Sequence, residues 1–191
     1  MTDGAARSIE KRVVLSARTA PIVIAGAALT TLAAKTQVPF WPVPMTLHTL
    51  AVMAFAVMFG PRLAVAIFLA YLAAGAVGLP VFSGSPERGV GLAYMAGPTG
   101  GYLLGYLVAA WLVGVLAVGR GAIGRLCAML AGLIPIFAIG VAWLAVYVPT
   151  GRLFAVGVAP FLFGDLMKIG VVAAVAPLLS TSLAQLCDVR R

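Results

Sequence analysis

The chain is poor in charge and poorest in acid: of 191 residues only five are Asp or Glu, 13 are Lys or Arg and one is His, so charged residues make up 9% of the total. So little charge cannot coat a soluble globule of this size. Cysteine is equally sparse, with Cys127 and Cys187 the two present, and their spacing suggests neither a disulfide framework nor a metal site. The single histidine, His48, leaves no His/Cys/Asp/Glu cluster for a metal and no nucleophile with an orienting base, which argues against hydrolytic or metal-assisted catalysis. A phosphate-cradling loop of the Walker type needs Lys after Gly, and the lysines follow Glu10, Ala34 and Met167. ATP hydrolysis by that route is excluded.

What fills the chain instead is apolar: 63% of residues are hydrophobic and the mean hydropathy is +1.12. These values describe an all-α integral membrane protein, because apolar stretches recur from Thr19 to Leu186 with only short polar breaks. The breaks predict six spans, near 18–35, 45–59, 62–79, 98–118, 123–147 and 160–185, in a single polytopic domain covering 1–191. Residues 1–17 form a cytoplasmic N-terminal segment in this reading, 36–44 and 79–97 are outer loops, and 187–191 are a cytoplasmic tail. The basic residues orient the bundle. With the N-terminus inside, Arg7, Lys11, Arg12, Arg18, Arg62, Arg120, Arg125, Arg190 and Arg191 lie on the inner side, against Lys35, Arg88 and Arg152 outside. That asymmetry predicts an N-in/C-in topology. The net charge of +8 reflects this topology and anionic headgroups rather than nucleic acid, since no basic stripe with interleaved aromatics exists. The basic, then apolar N-terminal segment lacks a clear small-x-small cleavage site, and it is expected to be retained.

Asp165 and Lys168 break the apolar run of the last span. A lone charge at the bilayer centre costs about 3 kcal/mol or more, so such groups usually face a partner or a cavity. Three residues apart, they share one helix face, and either a structural ion pair or a solute site results. The outer connections favour a site. Gln37-Val38-Pro39-Phe40-Trp41-Pro42-Val43-Pro44 carries three prolines in six residues, predicting a stiff non-helical cover with Thr46 and His48 just beyond it. Gly78 to Tyr102 is the longest break, rich in glycine yet carrying Leu79, Val81, Phe82, Leu92 and Tyr94, which argues for order. Gly101, Gly105 and Ala109 recur every four residues, as do Ala70, Ala74 and Gly78, predicting close helix approach.

Four segments read in order resemble the BioY family of biotin-binding S components of energy-coupling factor (ECF) transporters: Pro42-Val43-Pro44-Met45-Thr46, Gly78-Leu79-Pro80-Val81-Phe82, Gly97-Pro98-Thr99-Gly100-Gly101-Tyr102-Leu103-Leu104-Gly105 and Asp165-Leu166-Met167-Lys168. The resemblance runs from about Ala17 to Leu183. It implies an ECF S-component-like six-helix bundle in the cell membrane, with a high-affinity biotin pocket closed by the first and third interhelical connections. The substrate-binding residues it points to are Asp165, Lys168, His48, Thr46, Trp41, Phe82, Tyr94, Gly97, Thr99, Gly100 and Tyr102. No cofactor is implied. ATP would be used by partners only, namely a transmembrane T subunit and cytosolic ATPase subunits. Two departures stand out. His48 occupies a position where the family usually has Gln, and the first helix lacks a strict Ala-x-x-x-Ala docking pattern, with Gly26-Thr30-Ala34 and Ala17-Pro21-Ala25 nearest. A carrier for another small vitamin, a membrane-embedded enzyme using Asp165 and His48, and a purely structural subunit are the competing readings.

Overall fold

A computed structural model describes the backbone of residues 3–38, 45–87 and 89–188, and the side chains of 19–37, 46–87 and 89–175. Among the described residues the regular structure is helical apart from one two-stranded ribbon: α1 Asp3–Lys35, β1 Gln37–Val38, β2 Met45–Thr46, α2 His48–Ala76, α3 Gly91–Ala96, α4 Gly100–Ala117, α5 Ala122–Leu144, a 3-10 turn Thr150–Arg152, α6 Leu153–Gly157 and α7 Ala159–Asp188. By length and composition, four stretches among the described residues are apolar enough to cross a membrane: His48–Ala76, Gly100–Ala117, Ala122–Leu144 and Thr150–Val175. A shorter apolar stretch, Thr19–Lys35, belongs to α1.

The helix written as α2 is not one rod. Gly60 has φ 75 and ψ −179, a conformation that a side chain rarely tolerates, and Pro61 follows without a backbone N–H. An unbroken helix would separate residues 48 and 71 by about 34 Å, yet the rings of His48 and Tyr71 lie 5.2 Å apart. The chain therefore folds back at Gly60 into two antiparallel half-helices, 48–59 and 61–76. The reversal falls between the second and third spans expected from the sequence.

α4 packs most extensively on α5 and next on α2, while α7 closes against α2 and α5. The small-residue row on α4 permits this approach. A methyl group at Gly101 would fall 2.2 Å from the Cβ of Trp143, and one at Gly105 would fall 2.7 Å from the Cα of Ile136. The row on the second half of α2 behaves differently from expectation: a methyl at Gly78 would meet nothing within 4 Å, whereas at Gly75 it would collide with the Phe82 ring at 2.0 Å. Gly75 is the notch, and it receives a loop side chain rather than a helix.

The 79–97 connection contains a helix of its own, α3, which the glycine-rich composition masked. It is ordered by aromatic packing: the Phe82 and Tyr94 rings stack at 4.7 Å, and Phe82 meets Tyr71 edge-on at 5.5 Å. The first connection begins and ends in an antiparallel ribbon that pairs Gln37 with Thr46 and Val38 with Met45. The proline-rich segment 39–44, including Trp41, lies outside the described residues. Large apolar side chains on the bundle exterior, among them Leu29, Leu32, Trp111, Ile123 and Ile134, are exposed, as expected where lipid replaces water.

Candidate functional site

Residues of α2, α4, α5, α7 and the connections line a cavity of about 220 Å³ at one end of the bundle. Its walls are His48, Thr49 and Tyr71 from the α2 hairpin, Tyr102, Leu103 and Tyr106 from the start of α4, and Ile136 and Phe137 from the far half of α5. Phe161, Asp165 and Lys168 come from the start of α7, and Gln37, Thr46, Ser83, Tyr94 and Thr99 from the connections. The reversal at Gly60 is what brings His48 and Tyr71 together, because they lie at comparable distances along the two half-helices.

The charged pair sits in this wall. Lys168 Nζ donates to Asp165 Oδ1 at 2.9 Å, and both residues are buried, 9% and 3% exposed. The i,i+3 spacing on α7 places both on the cavity face. No further hydrogen bond to either side chain occurs among the described residues. Lys168 thus retains donors and Asp165 retains acceptor capacity toward the cavity. A buried pair supplies little net stability, while loss of one partner is expensive; a pair with unused hydrogen-bonding capacity facing a cavity is arranged for a guest.

Two more polar atoms point the same way. Among the described residues, His48 Nε2 and Tyr71 Oη are buried without a hydrogen-bond partner, and such groups are rare unless something completes them. His48 lies within an aromatic set, its ring 5.7 Å from Phe68 and 4.5 Å from Tyr106. Thr49 Oγ1 and Tyr106 Oη share a hydrogen bond of 3.0 Å, and Tyr102 Oη donates to the Gly157 carbonyl at 2.8 Å. The site is thus a largely aromatic chamber with a few aimed polar groups, the composition of a small-molecule pocket.

Of the residues singled out from the sequence, Asp165, Lys168, His48, Thr46, Tyr94, Thr99 and Tyr102 line the cavity together. Phe82, Gly97 and Gly100 do not. Phe82 is fully buried behind the wall, wedged at Gly75 between Tyr71 and Tyr94. Gly97 turns away from the cavity, its carbonyl accepting the Trp143 indole N–H at 2.9 Å. Gly100 permits a backbone crossing, since a methyl there would sit 1.9 Å from the Met95 carbonyl oxygen. These three shape the chamber without lining it. Trp41 lies outside the described residues. The sequence reading missed Tyr71, Tyr106 and Thr49. Tyr106 had a signal, being one turn beyond Tyr102 on the same face; Tyr71 had none until the α2 reversal was seen.

The connection over the site is tied down by main-chain contacts. Tyr94 Oη donates to the Ser83 carbonyl at 2.8 Å, Ser85 Oγ to the Phe82 carbonyl at 2.7 Å, and Lys35 Nζ, from the end of α1, to the Ser85 carbonyl at 3.0 Å. Tyr147 Oη donates to the Ala96 carbonyl.

Comparison with known proteins agrees in sequence and fold. The protein named probable biotin transporter BioY from Pyrococcus horikoshii is 35% identical over 162 residues, covering 85% of this chain and 96% of that one. Biotin transporter BioY from Thermotoga maritima is 37% identical over 151 residues, 78% of this chain and 88% of that one. Among solved structures, the S-component for biotin from an ECF-type ABC transporter superposes with a TM-score of 0.74 at 23% identity, over 87% of this chain and 93% of that one, which establishes the shared fold. The family model described as BioY family matches residues 7–185, and with that span matched the chain belongs to the BioY family.

Proposed function

We propose that the chain binds biotin in the cavity between α2, α4, α5 and α7, and that it serves as the substrate-specific S component of an ECF-type transporter in the cell membrane. The observation that carries this reading is the Asp165–Lys168 pair, buried, singly hydrogen-bonded and facing an aromatic chamber. Biotin suits it: a ureido ring with two N–H donors and a carbonyl, an apolar thiophane and chain, and a carboxylate need few polar contacts and much apolar wall. The relatives named for biotin, and the solved biotin S-component with the same fold, point the same way.

Asp165, Lys168, His48, Thr46, Tyr94, Thr99 and Tyr102 contact the ligand, joined by Trp41 from the proline-rich cover. Six spans with both ends cytoplasmic follow from dividing α2 at Gly60 and from the distribution of basic residues. A T subunit and cytosolic ATPases supply the ATP-driven step, and this chain acts as a binder rather than an enzyme.

Isothermal titration of detergent-purified protein with biotin tests the reading, with desthiobiotin, thiamine and riboflavin as competitors. The expected result is tight one-to-one binding of biotin that thiamine and riboflavin do not displace. Absence of binding to folded protein, or preference for another vitamin, would overturn the assignment.

A further inference from the structure

Opposite the cavity, the bundle ends in arginine. The Gly60–Pro61 reversal packs directly on α4, where a methyl on Gly114 would lie 2.5 Å from the Cα of Pro61 and one on Gly60 would lie 3.9 Å from Val118. That contact places Arg62, next after Pro61, at the same end of the bundle as Arg120, two residues beyond Val118, and as Arg125 on the first turns of α5. The Arg120 side chain folds across Gly124. Arg125 has its Nε buried with no hydrogen-bond partner. Among the described residues, none of the three guanidinium groups has an ion-pair or hydrogen-bond partner. A buried guanidinium N–H without a partner is costly to leave unmatched, and the guanidinium fork fits a phosphate bidentately.

A second, independent feature leads to the same spot. Leu104, Val108, Trp111, Val115 and Val118 are all exposed, and their spacing of 4, 3, 4 and 3 residues puts them on one face of α4. This apolar stripe runs the length of the helix and ends at the Arg120 turn, where Ile123 is 79% exposed. Beside the turn, methyl groups at Gly119 and Gly121 would meet nothing within 4 Å. An acyl chain along the stripe would deliver its headgroup phosphate into the open space at the Arg120 turn.

We propose that Arg62, Arg120 and Arg125, together with the α4 stripe, form a binding site for an anionic phospholipid. The class is set by the chemistry: three guanidinium groups that have no partner among the described residues select a phosphate with net negative charge, and the stripe selects an acyl chain. Basic pockets at the ends of transmembrane helices recognise lipid headgroups in this way. The site is remote from the cavity, so the proposal stands independently of the ligand assignment.

Trp111, 54% exposed and about 10 Å along the helix from Val118, is a built-in reporter. Protein in phosphatidylcholine vesicles is titrated with phosphatidylglycerol carrying brominated acyl chains, which quench tryptophan on contact. The Trp111 signal is taken as the difference between wild type and Trp111→Phe. Brominated phosphatidylglycerol should quench at a several-fold lower mole fraction than brominated phosphatidylcholine, and each Arg→Gln change should reduce that preference until none remains in the Arg62→Gln/Arg120→Gln/Arg125→Gln variant. Raised salt should weaken it. Equal quenching by the two lipids, or an unchanged preference in the triple variant, would overturn the site. Displacement by inorganic phosphate alone would reassign it to a soluble anion and equally overturn the lipid proposal. Should the triple variant unfold, as judged by its melting temperature, Arg125→Gln alone decides: retention of the full preference refutes the proposal.

Discussion

At the scale of the residue, Asp165 and Lys168 separate a structural role from a binding one. Asp165→Asn leaves a buried ammonium beside a neutral amide, so stability should fall by about 3 kcal/mol, whereas adding Lys168→Met should restore much of it. Biotin affinity should not follow that recovery. A hydrogen bond to a charged group contributes about 1.5–3 kcal/mol, so titration calorimetry should show a loss of about 10- to 100-fold in the single variant and no regain in the double. Recovery of both stability and binding in the double variant would reduce the pair to scaffolding. The pair was legible in the sequence because a charge in an apolar run has few explanations. Tyr71 was not, because its partner His48 is far away along the chain and the two meet through a turn whose direction no local pattern encodes.

At the scale of the element, the two kinds of glycine on the helices make opposite predictions. Gly105→Ala drives a methyl into the Ile136 backbone of α5, and it should lower the melting temperature by an amount equivalent to about 1–3 kcal/mol. Gly170→Ala on α7 meets nothing within 4 Å and should be neutral or stabilising by up to about 1 kcal/mol. The α4 row was readable because its period of four survives in the structure. Gly78 does not make the close approach expected of it, since spacing marks small residues without saying what fills the space beside them; on the same limb Phe82 takes the notch at Gly75. The same connection gives a kinetic prediction. Lys35→Met removes the only side-chain hydrogen bond, among the described residues, between the end of α1 and the Phe82–Ser85 segment. Biotin dissociation followed by stopped flow should accelerate two- to tenfold, the range of a bond worth about 0.5–1.5 kcal/mol, and an unchanged rate would show that the segment does not gate exit.

At the scale of the whole molecule, topology is the open prediction. In a variant lacking Cys127 and Cys187, a cysteine at Arg88 should react with a membrane-impermeant maleimide in intact cells, and one at Arg120 only after lysis. The reverse pattern would invert the bundle. Hydropathy and basic residues sufficed to predict an all-helical membrane domain, and the boundaries of α4, α5 and α7 fall within a few residues of the expected spans. Missing from that reading were the ribbon at Gln37–Thr46 and the short helix α3, both too brief to leave a periodic signal and both held by tertiary contacts.

The fold-back at Gly60 has a consequence for the surrounding lipid. Its two limbs, 48–59 and 61–76, rise only about 18 and 24 Å, against a hydrocarbon thickness of about 30 Å. Longer helices such as α5 match that thickness. In the six-span arrangement proposed above, the bilayer beside the shorter limbs would dimple to meet them, at a cost of fractions of a kcal/mol per Å of mismatch. Membrane thickness thereby becomes a variable to which this chain is sensitive on one flank, and shorter acyl chains should collect there.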